Sequence, residues 1–597
     1  MSEKKVVTFG RVFWPSLVAI LIVSIIGLLI FFSVLGGIIG GFSEETPLSL
    51  KPNTVLHLTL EGNIAEKSSA KFNPSAMGVD NTIGLSDILY GFKKAKEDKN
   101  VKGVFFEIKD AQCGVATAKE IRSAINDFEK SGKFVVAYLS GEMITQKQYY
   151  IASAANEIYA FPTSMMEFVG LGAEMMFFKN TLDKLGVEMQ VIRGRENDFK
   201  SAVEPFFLDK MSDSSRAQVH RYLTSIWSDM RIDIAYDRKT SPEKLFQIAE
   251  NMSIKRAEDA TKFKLIDGAK YRDEIISLLL KKTGQKTDAL QLSSFEKYSK
   301  RKFKDNQTLV KIDKPNVAVL IAEGDISVDG EGMSSTKLCK ALREIRADKN
   351  IKTLVLRINS PGGSALASDE IWREIKLLKQ KMKVIVSMGD VAASGGYYIA
   401  TPADYIFAEN TTITGSIGVF GVIPYTGKMF EDKLGISFDR VSTNKHAVVS
   451  TNRKLTAEEM SFIQTEVDEI YKEFISRVAE GRGMSLDQVH KIARGRVWTG
   501  SDALKKGLVD ELGGMDKAIN YAISSSKIKD AKIVYYPKSK ENPFDPIFEL
   551  LEEQEGEEVL VKTKTLPNDF LKYYELLLKV ESYKGIQMRL PYELKIN

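Results

Sequence analysis

Two short glycine-containing segments carry the residue types best suited to chemistry. Residues 359–364 read Asn-Ser-Pro-Gly-Gly-Ser and follow an apolar run at 354–358. Residues 389–398 read Gly-Asp-Val-Ala-Ala-Ser-Gly-Gly-Tyr-Tyr and follow a second apolar run at 384–388. Glycine lets a backbone adopt unusual torsion angles and approach a ligand closely. Each segment precedes a helical pattern, and N–H groups at such a junction can point at an anion.

Ser394 stands among small residues in the second segment, where a substrate backbone could reach it. The N–H groups of Gly363 and Gly395 would then hold the oxyanion formed by attack on a carbonyl group. Taken singly, Pro-Gly-Gly is typical of a tight turn, and a serine before a helix is typical of a cap. Taken together at this spacing, the two segments favour Ser394 as a nucleophile.

A serine hydroxyl needs a base before it can attack a carbonyl group. The four histidines are His57, His220, His446 and His490, and only His446 lies near the two segments in sequence. A lysine is the other kind of candidate, because burial can lower the pKa of its amine far enough to make it a base.

An internal repeat indicates which elements position these residues. Three segments of the first half recur in the same order in the second half, at an offset of about 250 residues: 55–64 and 317–326, 98–104 and 348–354, and 149–152 and 397–400. In the second half, β-branched runs at 317–322, 353–358, 383–388 and 404–408 alternate with helical patterns at 334–347 and 365–381. This alternation predicts an α/β fold with a mostly parallel sheet, duplicated in tandem.

The repeat also shows what the first half lacks. On the alignment of 149–152 with 397–400, Gln146 stands where the second half has Ser394. Gln112 and Cys113 correspond roughly to the two glycines of residues 359–364. The first half has therefore lost both the serine and the glycine turn.

Composition excludes several other classes of protein. A net charge of +5 over 597 residues gives no basic patch of the kind that nucleic-acid binding requires, so no nucleic-acid partner is predicted. Cys113 and Cys339, the only cysteines, exclude a disulfide scaffold and a cysteine-rich zinc site, and no metal or cofactor is predicted. The chain divides into an N-terminal segment 1–11, an apolar segment 12–41, a first α/β domain 50–270, a linker 271–315, a second α/β domain 316–540 and a tail 541–597.

The apolar segment predicts one N-terminal transmembrane helix. No charged residue stands between Arg11 and Glu44. About 20 apolar residues span a bilayer as a helix, whereas a cleaved signal peptide has an apolar core of only about 7–15 residues. Residues 12–41 therefore read as an uncleaved anchor. Lys4, Lys5 and Arg11 precede it, which places the N-terminus in the cytoplasm and the following domains on the other side.

The motifs together resemble the signal peptide peptidase A family in its long, membrane-anchored form. They are residues 359–364, the Ala-Ala-Ser-Gly-Gly-Tyr-Tyr at 392–398 and the Thr-Gly-Ser-Ile-Gly-Val at 414–419. The resemblance implies a Clp/crotonase-like ββα domain in each half and a serine endopeptidase that degrades remnant signal peptides and similar hydrophobic peptides. It also implies a homotetramer in contact with lipid of the inner (cytoplasmic) membrane, with periplasmic catalytic domains.

The same resemblance implies Lys200 as the general base. Residues 200–206 read Lys-Ser-Ala-Val-Glu-Pro-Phe, as in the segment that carries the base in long family members. Position 419, where Clp-type proteases have their histidine, is a valine here, which argues against a Ser–His pair. Lys445 stays open as a second candidate for the base. Ser416 is either a helper that orients the lysine or water, or a turn residue.

Two other functions share part of this evidence. A crotonase-type enzyme acting on acyl thioesters has the same fold and oxyanion hole but no need of Ser394. A non-catalytic membrane scaffold needs neither the serine nor a buried lysine. Two interpretations stay open for a set of apolar residues, which could line a substrate groove or belong to the ordinary core: Met388, Val391, Val419, Phe420 and Val422.

Overall fold

The computed structural model describes residues 17, 21, 23–27, 50–73, 78–194, 196–286, 290–300, 316–330, 332–537 and 586–590. The described residues from Leu50 onward belong to one compact unit. The predicted anchor at 12–41 lies almost wholly outside the described residues. Within the described ranges, no helix has both the length and the apolar character needed to cross a membrane.

The first half alternates strands and helices. Its strands are β1 (Thr54–Asn63), β2 (Ser69–Asn73), β3 (Gly78–Thr82), β4 (Val101–Gln112), β5 (Phe134–Leu139), β6 (Met143–Ile144), β7 (Glu157–Ala160), β8 (Met165–Met166), β9 (Glu188–Arg193), β10 (Gly268–Ala269) and β11 (Leu292–Ser294). Its helices are α1 (Leu85–Glu97), α2 (Val115–Glu129), α3 (Gln146–Ala152), α4 (Lys179–Leu185), α5 (Glu204–Phe207), α6 (Asp213–Asp237), α7 (Pro242–Glu250), α8 (Ala257–Lys262), α9 (Arg272–Thr283) and α10 (Phe295–Lys300), with a 3-10 turn at Ser201–Val203.

The second half repeats the pattern. Its strands are β12 (Val317–Glu323), β13 (Ile326–Ser327), β14 (Met333–Ser334), β15 (Thr353–Ser360), β16 (Gly362–Ser364), β17 (Lys383–Ala393), β18 (Tyr405–Ala408), β19 (Ile413–Gly415), β20 (Phe420–Tyr425), β21 (Val497–Thr499), β22 (Glu511–Leu512), β23 (Ile533–Tyr536) and β24 (Ile586–Arg589). Its helices are α11 (Ser335–Ala347), α12 (Ala365–Lys379), α13 (Gly395–Ala400), α14 (Gly427–Leu434), α15 (Ala457–Arg482), α16 (Leu486–Ile492), α17 (Gly500–Lys505) and α18 (Met515–Ser525).

Each half is built on its own sheet. The first has the strand order β10-β7-β5-β4-β1-β11, and all of its pairings are parallel. The second has the order β21-β19-β17-β15-β12-β23, with β18 beside β17, and only β19 and β21 pair antiparallel. Residues 354–358 of β15 are completely buried, as expected for a parallel strand covered on both faces. The predicted duplicated α/β fold is therefore present.

Part of the predicted linker at 271–315 belongs to the first half. Helix α9 places Ile275 and Leu279 in the first half's core. Strand β11 then pairs in parallel with β1 and forms the edge of the first half's sheet. The described part of the predicted linker, up to residue 300, therefore belongs to the fold of the first half.

A third sheet joins the two halves and contains part of the predicted tail. Its order is β14-β13-β16-β24-β20-β9, so β9 of the first half pairs with β20 of the second. Strand β24 comes from the segment predicted as a tail at 541–597, of which the structure describes residues 586–590. This sheet brings the loop after β9 to the carboxyl end of the second half's parallel sheet.

Candidate active site

Ser394 lies at the junction between β17 and α13. Its backbone has φ +55°, a left-handed conformation that is strained for a residue other than glycine. The Ser394 N–H donates to the Gly415 carbonyl at 2.8 Å, and the Tyr398 N–H donates to the Ser394 carbonyl at 2.8 Å. These bonds hold the strained residue in place and direct its side chain toward the first half.

Lys200 reaches Ser394 from the other half of the chain. Its Nζ lies 2.8 Å from Ser394 Oγ. The same nitrogen lies 3.0 Å from both the carbonyl oxygen and the Oγ of Ser416. All three residues are completely buried. The structure thus brings the predicted nucleophile, the predicted base and the possible helper into one cluster.

Burial changes the acidity of the Lys200 amine. Removal from water penalises the charged form, which lowers the pKa of Lys200 well below its usual range. The neutral amine has a free electron pair and can accept a proton from a hydroxyl group. The electrostatics of the site therefore favour a base at this position.

Second-half residues hold the backbone around Lys200. The Phe199 N–H donates to the Arg494 carbonyl at 3.1 Å. The Asn197 side chain donates to the Val419 carbonyl at 3.1 Å. Gly495 has φ +77°, and a Cβ there would lie 2.5 Å from the Lys200 Cβ. Only a glycine allows this close approach, so the lysine depends on the second half for its position.

The two glycine segments meet beside Ser394. Gly362 has φ +101°, and a Cβ there would lie 2.8 Å from the Gly395 nitrogen. Strand β16 then leads into α12, whose first turn is capped by Ser364 through the Ala367 N–H at 3.3 Å. Of the predicted oxyanion donors, Gly363 lies in β16 just before α12, and Gly395 is the first residue of α13.

The other candidates for the base lie elsewhere. Lys445 is largely exposed and bonds Glu458 at 2.5 Å. His446 contacts Glu458 and Glu459, each at 3.0 Å. Among the described contacts, neither side chain reaches Ser394.

Four of the five residues predicted to line an apolar groove are buried. Met388 and Val419 are completely buried in the second half's core. Phe420 and Val422 pack in a smaller core with residues of the first half. Met388 lies in β17, Phe420 and Val422 lie in β20, and Val419 directly precedes β20. Val391 is half-buried.

Sequence reasoning missed three residues that organise the site. Asn197, Gln218 and Gly495 bind or contact the loop of Lys200. Gln218 donates to the Phe199 carbonyl at 3.1 Å and accepts from the Val497 N–H at 3.2 Å. The two amides stand in polar segments with no distinctive pattern. Only Gly495 offered a local signal, because a glycine directly before an apolar run indicates a turn.

The fold, together with a buried serine beside a buried lysine, is typical of a serine hydrolase. Comparison with known proteins identifies the family. The model of peptidase family S49 matches residues 127–286 and 376–529, and the Clp protease model matches residues 316–413. The chain belongs to peptidase family S49 and is a serine protease, as predicted. Two matched segments agree with an internal duplication.

Its similarity to individual relatives extends over most of the chain. It is 34% identical to Protease 4 of Salmonella typhi over 521 residues, covering 83% of this chain and 81% of that protein. It is 33% identical to the chloroplastic serine protease SPPA of Arabidopsis thaliana, covering 80% of this chain and 70% of that protein. It is 35% identical to Protease 4 of Haemophilus influenzae, covering 74% of this chain and 73% of that protein.

Proposed function

We propose that this protease cleaves hydrophobic peptides with a Ser394–Lys200 dyad divided between its two halves. The observation that carries the proposal is the 2.8 Å distance between Lys200 Nζ and Ser394 Oγ in a completely buried site. In this proposal the first α/β domain supplies the base, and the second supplies the nucleophile and the oxyanion hole.

Acylation follows from the positions of these groups. Neutral Lys200 takes the proton from Ser394 Oγ as that oxygen attacks a peptide carbonyl carbon. The N–H groups of Gly363 and Gly395 donate to the resulting oxyanion. Collapse of the intermediate breaks the C–N bond, and the ammonium of Lys200 returns a proton to the leaving amine.

Deacylation uses the same groups with water in place of the amine. Lys200 takes a proton from water as the water oxygen attacks the carbonyl carbon of the ester on Ser394. Collapse of that intermediate breaks the bond between the acyl carbon and Ser394 Oγ, the Lys200 ammonium returns its proton to Oγ, and the peptide leaves as a carboxylic acid. Ser416 holds the Lys200 amine through two oxygens at 3.0 Å, which supports a role in orienting its free electron pair toward Ser394.

The proposal extends to location, assembly and substrate. Residues 12–41 anchor the protein in the inner (cytoplasmic) membrane, with residues 1–11 in the cytoplasm and both domains in the periplasm. The substrates are remnant signal peptides, and the active unit is a homotetramer.

Deletion of residues 12–41 should move the protein to the soluble fraction. A fully active monomer in detergent would refute the tetramer.

An active-serine reagent separates this proposal from its rivals. A fluorophosphonate should label the wild type once, at Ser394, and Ser394→Ala should abolish both labelling and hydrolysis of an apolar peptide. A crotonase-type enzyme would keep its activity in that variant, and a scaffold would show neither labelling nor hydrolysis. Ser501→Ala, at a serine remote from Lys200, serves as the matched control.

The pH dependence of acylation tests the base. Lys200 must be neutral to act, and its pKa is lowered by burial. The rate should therefore rise with pH through that lowered pKa and level off below the usual lysine value of about 10.4. A rate that is constant from pH 5 to 9 would contradict the dyad.

A further inference from the structure

The C-terminal strand β24 lies in a gap between two strands of the candidate active site. It pairs antiparallel with β16 on one side, through Gly362 with Arg589 and Gly363 with Met588. It pairs antiparallel with β20 on the other side, through Gly421 with Ile586. Without β24, both neighbours would present unpaired edges across a gap one strand wide. Such a gap accepts an extended peptide by strand addition.

The register places one peptide carbonyl at the oxyanion glycines. The Leu590 N–H donates to the Pro361 carbonyl at 2.7 Å. Bonded pairs alternate along an antiparallel ladder, so the next bonded pair is Gly363 with Met588. In that pair the Gly363 N–H donates to the Met588 carbonyl. A Cβ on Gly395 would lie 3.1 Å from the same Met588 oxygen.

Side chains of the strand are bound as well as its backbone. Met588 and Leu590 are 1% and 4% exposed. Met588 packs in the second half's core. Arg589 forms an ion pair with Asp325, which follows β12. The segment 586–590 is therefore held as an extended peptide by its backbone, by the buried Met588 and Leu590 side chains and by the Arg589 ion pair.

We propose that residues 586–590 are an intramolecular occupant of the peptide-binding cleft and compete with substrates for it. The site that holds the Met588 side chain then accepts an unbranched apolar residue on the acyl side of the cleaved bond. This proposal rests on the proposed active site, because the Met588 carbonyl occupies the place assigned to the substrate carbonyl. The enzyme would work on peptides that displace its own strand.

A disulfide that locks the strand in place tests the competition. Gly421 and Ile586 are direct partners, and a Cβ on Gly421 meets no atom closer than 3.9 Å. Gly421→Cys combined with Ile586→Cys should lose peptide hydrolysis on oxidation and regain it on reduction. The two single variants, treated identically, are the controls, since Cys113 and Cys339 are present in all of them. A cross-linked double variant with full activity, its link verified by intact mass, would overturn the proposal.

Weakening the strand should have the opposite effect in the full chain. Met588→Asp should raise kcat/KM for an apolar peptide about tenfold or more, since a tethered segment competes at an effective concentration of about millimolar. Met588→Leu is the conservative control, and Leu590→Asp repeats the test at a second position. If kcat/KM is unchanged in both Asp variants while the fluorophosphonate still labels Ser394, residues 586–590 do not compete with substrate, and the proposed active site is unaffected. Absence of labelling in every variant, including the two Asp variants in which the strand is weakened, would instead refute the active site.

Discussion

The carboxyl ends of the two parallel sheets have the same topology but different roles. In the second half, β15 ends in the glycine turn of β16, and β17 ends at the strained Ser394. In the first half, β4 continues to Gln112, and α3 begins with an ordinary cap in which Thr145 and Gln148 bond each other. The carboxyl end of the second half's sheet keeps the serine and the glycine turn. The carboxyl end of the first half's sheet binds the second half instead.

The helix that follows the glycine turn shows this division most clearly. In the second half, α12 begins beside the glycines assigned to the oxyanion. In the first half, the equivalent N-terminus of α2 receives a carboxylate of the second half, because the Thr117 N–H and Oγ1 donate to Asp390 at 2.9 and 2.6 Å. Both helix ends suit an anion. In the first half this helix end therefore serves as a contact with the second half.

The largest expected effect comes from removing Lys200, the base proposed for the first half. Lys200→Met should lower kcat by about 10²–10⁴-fold, the usual contribution of general base catalysis. Lys445→Met, which removes an exposed lysine of the second half, should leave kcat unchanged. Hydrolysis of an apolar peptide by both purified variants measures the difference. If the Lys445 variant were the inactive one, the second half would hold a complete site.

The next largest effect concerns the buried ion cluster between the halves. Arg357 is completely buried on β15 and bonds Glu66 at 2.9 Å and Glu120 at 2.6 Å, both from the first half. Arg357→Met leaves two buried carboxylates without a cation and should cost about 3–5 kcal/mol of unfolding free energy. Arg343→Met breaks the more exposed pair with Glu374 and should cost less than about 1 kcal/mol. Urea unfolding measures both.

The loss of unfolding free energy caused by Arg357→Met should depend on pH in a definite direction. Burial raises the pKa of Glu120 to about 7 and also raises that of Glu66. A carboxyl whose folded pKa is raised binds its proton more readily in the folded state, so the folded state gains stability as pH falls through that value. The cost of Arg357→Met should therefore be smaller at pH 5 than at pH 8. An equal cost at both values would mean that the carboxylates are rehydrated in the variant.

A smaller effect is expected at the contact between α2 and β17. A double-mutant cycle of Asp390→Ala and Thr117→Val should give a coupling energy of about 0.5–3 kcal/mol, as for other contacting pairs. Asp390 lies four residues before Ser394, so its loss should also lower kcat. Thr117→Ser keeps the hydroxyl group and should preserve both quantities. Additive effects of Asp390→Ala and Thr117→Val would show that the helix end does not hold the second half.

Local patterns in the sequence predicted the repeated elements and the glycine segments, because strand and helix periodicity and turn chemistry act over a few residues. The identity of the lysine came from resemblance to a family and not from the residues themselves. The pairing of Thr117 with Asp390, 273 residues away, leaves no local signal. The same holds for β24, whose partners are set by the gap it fills. The segment 272–300 has a polar composition, although its few apolar residues complete the first core.

The smallest expected effect is at Gln146, the counterpart of Ser394 in the first half. Gln146 is nearly buried, and its amide bonds the Gly170 N–H at 2.9 Å and the Gly170 carbonyl at 3.3 Å. Gln146→Ser should lose these bonds at a cost of about 1 kcal/mol, while kcat stays unchanged.

No second nucleophile should arise from this change, because Gln146 is the first residue of a normally capped helix and no described contact places a lysine amine beside it. The sensitive test is Gln146→Ser combined with Ser394→Ala, followed by fluorophosphonate labelling and intact mass. An unlabelled protein means that backbone strain and a buried amine, as well as a serine, are needed for reactivity. Labelling at position 146 would mean that the first half still holds a usable site and that the division of labour between the halves depends on one side chain.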